Sequence, residues 1–148
     1  MRDVELAATD GRRVVVIAVE AGEEAVAGVN EVARRRGIRA AQVTAVGGFA
    51  GAEVGYFDRS ARDYLRIPVP EQVEVLSLVG DIAELHGEPA LHVHAVLGRR
   101  DGGTVGGHLL RGEVWPTLEV MVTEVAAGLA KRVDPETGVA MLTGTAYG

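Results

Sequence analysis

The chain has 148 residues, of which 47% are hydrophobic and 24% charged, and this is the composition of an ordinary globular domain. Its formal net charge of −6 disfavours a dedicated nucleic-acid-binding protein, because affinity for phosphates comes mainly from lysine and arginine side chains. The absence of cysteine excludes disulfides, thiolate ligands and cysteine nucleophiles, so a transition metal would need nitrogen and oxygen ligands.

The first third of the chain predicts a hairpin followed by a helix. Apolar runs at residues 4–8 and 14–19 flank an Asp-Gly pair at 10–11, which is typical of a hairpin turn. Residues 23–36 predict a helix, because acids come first and apolar side chains recur at three-to-four spacing. We interpret the three arginines at 34–36 as the last turn of this helix, where cations complement the helix dipole, rather than as an anion site.

The rest of the chain predicts a sheet. Apolar segments bounded by turn residues predict strands at 40–50, 52–58, 73–85, 89–97, 105–110, 117–125 and 139–142. The stretch from residue 117 is alternatively helical as far as Lys131, and residues 134–138 predict a turn. Glycines between 47 and 51 predict a bend or bulge where two strands meet. Together these elements predict a single α/β domain over residues 1–148.

Three of the four histidines fall within 17 residues, in a pattern that predicts a metal site. Side chains alternate along a strand, so His92 and His94 project from the same face with adjacent imidazoles. His108 follows a Gly-Gly pair, which would let a turn or bulge present a third imidazole. Zn²⁺ uses three imidazoles where it keeps a fourth position open, and other divalent transition metals accept the same ligands. His86 precedes a turn and is interpreted as an exposed loop residue.

Two glutamates are candidates for catalysis at such a site. A water in the fourth position of zinc has a pKa of about 7, and its reactions would need a nearby proton acceptor. Glu74 is the first candidate, since we expect it on the strand face of Leu78, where an unpaired carboxylate is costly. Glu119 is the second. Alternatively, Glu74 forms a structural ion pair with Arg111 or Arg132, or either glutamate accepts a hydrogen bond from an imidazole.

Four segments in order resemble the plants and prokaryotes conserved (PPC) domain, and the resemblance covers nearly the whole chain. The segments are EVLSLVG at 74–80, HVH at 92–94, GGHL at 106–109 and TLEV at 117–120. The resemblance implies an α/β fold with a curved, largely antiparallel sheet and a flanking helix, assembled as a homotrimer. It also implies metal ligands at His92, His94 and His108, within a family whose biochemical activity is unassigned.

Two functions of different classes follow from the residues and the resemblance. The first is a metal-dependent enzyme that acts on a small molecule, and the second is a DNA-associated or regulatory module with a structural metal. Plant members carry AT-hooks that place arginine in the minor groove, whereas this acidic sequence has no Arg-Gly-Arg-Pro core. We therefore favour a metal and a small-molecule ligand over DNA. Without a signal peptide or a bilayer-spanning apolar run, we expect a cytoplasmic protein with no membrane partner.

Overall fold

The computed structural model describes residues 1–7, 12–125 and 129–144, which form one nine-stranded sheet and one helix. The elements are β1 (Arg2–Ala7), β2 (Arg13–Glu20), α1 (Ala25–Arg36), β3 (Ala41–Asp58), β4 (Asp63–Val69), β5 (Val73–Leu85), β6 (Glu88–Gly98), β7 (Thr104–Glu124), β8 (Leu129–Val133) and β9 (Ala140–Gly144). The curved sheet with a flanking helix agrees with the prediction. The α/β class overstates the helix content, because a single 12-residue helix accompanies nine strands in the described ranges.

Four of the strands close into a ring. β3 and β6 each pair with both β5 and β7, and all four pairings are antiparallel. The long strands β3 and β7 each pair with three other strands, and the pairing of β3 shifts in register on both sides of Gly47 and Phe49. Gly47 has a φ of 149°, and a Cβ atom there would lie 2.2 Å from the Thr117 carbonyl oxygen. The predicted bulge at 47–51 is confirmed, and it lies inside one strand rather than between two.

The hydrophobic core lies between this ring and α1. The helix contacts β2, β6 and β7 and buries Val29 and Val32 against them. Phe49 of β3 is the largest of the fully buried side chains. Asn30 joins the helix to β6, because its side-chain oxygen accepts a hydrogen bond from the Leu91 N–H at 2.9 Å. The helix therefore supports the strand that carries two of the histidines.

The residues on either side of α1 fix its ends. Glu24 precedes the helix and accepts hydrogen bonds from the N–H groups of Val26 and Ala27. Gly37 follows it with a φ of 66°, the left-handed conformation typical of a helix end. The arginines at 34–36 fill the last turn, and two of them form ion pairs with Asp3 of β1. Their interpretation as helix-end residues is confirmed.

The C-terminal part of the chain differs most from the prediction. β7 runs unbroken from Thr104 to Glu124, where the sequence predicted two strands, and β8 is a strand where the alternative was helix. The predicted turn at 134–138 is confirmed, with Asp134 accepting hydrogen bonds from Thr137 and Gly138. The predicted hairpin turn at 10–11 and residues 126–128 lie outside the described residues. No helix in the described ranges has the length and apolar character needed to cross a membrane.

Candidate metal centre

A tight hairpin between β5 and β6 sets the positions of the paired histidines. His86 and Gly87 at its tip have φ values of 53° and 85°, as a two-residue type I′ turn requires at both central positions. Counting outward from the turn, Asp81 lies opposite His92. Two residues further along each strand, His94 lies opposite Val79. His86 is exposed at the tip, as expected of a loop residue.

The third histidine reaches the site because β7 lies close to β6 and β3 at this point. His108 is opposite His94 across the pairing of β6 with β7. Gly106 and Gly107 belong to the strand and have no positive φ, so the predicted turn or bulge is wrong. A Cβ atom on either glycine would lie 2.6 Å from a carbonyl oxygen, of β6 for Gly106 and of β3 for Gly107. The glycines thus allow the backbone approach that brings His108 to the other two histidines.

The structure brings His92, His94 and His108 together. One ring nitrogen of each lies within 4.8 Å of the corresponding nitrogens of the other two. The ring centroids are 5.0 Å apart for His92 and His108, 5.3 Å for His92 and His94, and 5.5 Å for His94 and His108. His92 and His108 are partly buried, whereas His94 is exposed.

Asp81 connects His92 to a buried lysine. Its Oδ2 lies 3.5 Å from His92 Nδ1, and its Oδ1 lies 2.6 Å from the Nζ of Lys131, whose side chain is 3% exposed. Burial alone would raise the pKa of Asp81, but the contacts with His92 and Lys131 outweigh it and hold the pKa below 3.8. The ionised carboxylate favours a proton on His92 Nδ1, which leaves Nε2 free to bind an ion.

The other two imidazoles are neutral near pH 7. Burial, followed by repulsion from His92, His94 and Lys131, lowers the pKa of His108 to about 4. Burial and His92 also lower the pKa of His94. Among the described residues, the buried Nδ1 of His108 has no hydrogen-bond partner. A neutral, partly desolvated imidazole with an unsatisfied nitrogen fits a metal ion, because only the neutral ring can act as a ligand.

A cavity of about 260 Å³ borders the cluster. His92, His108 and Lys131 line it together with apolar side chains of several strands. The ring of Tyr64 stacks on His108, with centroids 4.7 Å apart and planes inclined by 28°. Phe57 also lines this cavity.

The two predicted catalytic glutamates do not line this cavity. Glu74 is exposed and lies opposite Gly98. It is five residues along β5 from Val79, the residue opposite His94, and at the rise of a strand this separation is about 16 Å. A register shift after Val75 places Leu78 on the buried face, so the predicted common face of Glu74 and Leu78 is wrong. Glu119 is exposed opposite Ala18 of β2. Within one chain, neither carboxylate belongs to the three-histidine group or lines the cavity beside it.

Asp81 and Lys131 are the residues of this site that the sequence interpretation missed. A signal for Asp81 was present, because a two-residue turn at 86–87 pairs it with His92 by counting alone. Lys131 had no such signal. It comes from β8, which joins the sheet through a parallel pairing of Ala130 with Glu84 of β5.

The fold and the site together define a class of small, β-rich protein with a three-histidine candidate metal centre beside a cavity. The family model described as the Plants and Prokaryotes Conserved (PCC) domain matches residues 7–126. The chain belongs to this family, and the resemblance found in its sequence is confirmed.

Solved structures with the same fold include two archaeal relatives. A PPC protein from Pyrococcus horikoshii is 29% identical with a TM-score of 0.84, over 88% of this chain and 91% of that one. A metal-containing protein from Archaeoglobus fulgidus is 30% identical with a TM-score of 0.82, over 88% and 92%. A candidate DNA-binding protein from Bacteroides thetaiotaomicron is 20% identical with a TM-score of 0.86, over 96% and 97%, and shows the fold alone. No curated protein matches the chain.

Proposed function

We propose that the chain binds a divalent transition metal, Zn²⁺ in preference, through His92, His94 and His108, and acts there on a small molecule. The observation that carries this proposal is the approach of three imidazole nitrogens to within 4.8 Å of one another. Ligand nitrogens of tetrahedral zinc are roughly 3.4 Å apart, so small side-chain rotations would complete the site. The 30% identity to a metal-containing archaeal protein supports the same conclusion.

The surrounding residues suit a reactive rather than a purely structural ion. Three protein ligands would leave a position on zinc open, and zinc would supply the Lewis acidity that brings the pKa of a water in such a position to about 7. Asp81 orients His92, and Lys131 compensates the carboxylate so that this pair adds no net charge. Tyr64 covers one face of His108. The adjoining cavity gives a small molecule room beside the ligands.

The ion pairs of the helix end favour this function over association with DNA. Arg34 pairs with Glu31, while Arg35 and Arg36 both pair with Asp3. The densest cluster of positive charge in the sequence is therefore neutralised by the protein's own carboxylates. Phosphates would have to displace those partners, which costs much of the electrostatic gain on which DNA affinity depends.

We also propose that the chain forms the homotrimer that its resemblance to the PPC family implies, and that it does so through the outer face of its ring. Large apolar side chains on this face are 44–55% exposed, namely Val46, Leu76, Val79, Val96 and Met121. Val79 is the direct neighbour of His94, so the apolar face continues to the candidate metal centre. Exposed apolar surfaces of this kind are typical of contacts between protein chains.

Elemental analysis of untagged protein, purified without added metal, tests the metal proposal. We expect about one zinc per chain in the wild type and almost none in the His92→Ala/His94→Ala variant, because one imidazole cannot hold the ion. His86→Ala is the matched control, since it removes a histidine outside the cluster and should leave the zinc content unchanged. Equal metal in the wild type and the double variant would refute the proposal.

A further inference from the structure

The walls of the cavity indicate a ligand with an apolar body. Phe57, Leu85, Leu91 and Val139 all line it, and they come from β3, β5, β6 and the segment before β9. Its volume of about 260 Å³ lies below the range of roughly 300–1,000 Å³ typical of sites for drug-sized ligands. The cavity therefore suits a molecule with a short hydrocarbon chain or a single ring.

The charges around the cavity balance before a metal is bound. Lys131 and Asp81 form a buried pair, and Arg62 and Asp63 are adjacent residues of opposite charge at the lining. Asp63 is engaged locally, because its Oδ1 accepts a hydrogen bond from the Tyr64 N–H at 2.7 Å. A divalent ion on neutral imidazoles consequently gives the site an excess positive charge. An anionic group beside the ion would offset part of this charge.

The donors of the cavity favour a carboxylate over a phosphate. Phosphate sites usually gather several backbone N–H groups at a helix N-terminus or a glycine-rich loop. The described lining comes from strands and their connections, and α1 does not contribute to it. Arg62 is exposed at the lining, and its planar guanidinium can bind both oxygens of a carboxylate at once.

We propose that the cavity binds a small monocarboxylate, with its carboxylate group between the metal centre and Arg62 and its apolar body against Phe57, Leu85 and Leu91. This inference rests on the proposed metal function, because the ion supplies the excess positive charge. It names the class of ligand on which that function would act.

Calorimetric titration of zinc-loaded protein tests this inference, with benzoate as the probe and neutral benzamide and inorganic phosphate as comparisons. We expect benzoate to bind at least tenfold more tightly than either, and to lose at least tenfold in affinity when zinc is removed. Arg62→Gln should weaken benzoate binding roughly tenfold without changing the zinc content, and Arg62→Lys should weaken it less. Arg66→Gln is the control, because Arg66 pairs with Glu53 and does not line the cavity.

The outcomes separate this inference from the metal proposal. Equal affinity for benzoate and benzamide, unchanged benzoate binding in Arg62→Gln, or tighter binding of phosphate than of benzoate would each overturn it. The zinc content of the same samples reports independently on the metal proposal. If the protein holds zinc but binds benzoate and benzamide equally well, the metal proposal stands and the assignment of a monocarboxylate ligand is wrong.

Discussion

At the scale of single residues, the contact of Asp81 with His92 is the part of the site most open to test. The carboxylate lies 3.5 Å from Nδ1 of a candidate ligand and 2.6 Å from a lysine that is almost fully buried. Partners of this kind typically change metal affinity by about 10- to 100-fold. Asp81 also compensates Lys131, and a buried charge that loses its partner destabilises a protein by about 3–5 kcal/mol. The two roles predict different effects of mutation.

Asp81→Asn should therefore lower both zinc affinity and stability, whereas Asp81→Asn/Lys131→Met should recover stability but not affinity. The double variant removes the uncompensated charge, yet His92 still lacks its carboxylate. Zinc affinity is measured by competition with a chromophoric chelator, and stability by denaturant unfolding of the metal-free protein. Glu74→Gln removes an exposed carboxylate far from the cluster and should change neither quantity. Zinc affinity of the double variant equal to that of the wild type would exclude this role of Asp81.

The low pKa of His108 predicts a pH-dependent stability in the metal-free protein. The pKa of about 4 in the folded state lies below the ordinary value of 6.5, so the unfolded chain binds more protons between these values. Stability should therefore fall as the pH decreases from about 6.5 towards 4. Denaturant unfolding of chelator-treated protein at pH 7 and pH 5 measures the change. His108→Phe keeps an aromatic ring against Tyr64 and should show a smaller decrease, and an equal decrease in both proteins would contradict the assignment.

At the scale of elements, local patterns predicted the site better than they predicted how the strands are joined. The alternation in β6 placed His92 and His94 on one face, and the spacing within α1 predicted its apolar side. The two long strands were each divided in the prediction, because glycines that usually end strands allow bending or close approach here. Gly107 illustrates the difficulty. A side chain is excluded there by a carbonyl oxygen of β3, which is more than fifty residues away in sequence.

The missed contacts share this dependence on distant parts of the chain. Lys131 pairs with Asp81 across fifty residues, and Tyr64 stacks on His108 across forty-four. β4 and β8, which carry Tyr64 and Lys131, are short strands with mixed polarity and have little periodic signal of their own. Their partners in the sheet determine their conformation, as is common for strands. The paired histidines, and Asp81 through the register of the hairpin, were therefore predictable from local spacing, whereas Tyr64 and Lys131 were not.

At the scale of the whole molecule, the exposed apolar face of the ring predicts how copies of the chain would assemble. Leu76 and Val96 lie on this face with about half of each side chain in contact with solvent. Burial of apolar area contributes about 25 cal/mol per Å², so covering such a face supplies a substantial part of a stable contact. The same face reaches His94, and a neighbouring chain there would reduce the access of water to the candidate metal centre.

The resemblance to the PPC family implies a homotrimer, so sedimentation equilibrium of the wild type should give a mass of three times 15.5 kDa. Leu76→Glu should shift the mass towards that of a single chain, because a carboxylate buried between apolar surfaces is costly. Val4→Glu is the matched control: Val4 is similarly exposed, at 52%, but lies on β1 at the edge of the sheet. A wild-type mass of one chain would exclude the trimer. If Leu76→Glu and Val4→Glu both dissociate the assembly, the contact between chains is not specific to the face that carries Leu76.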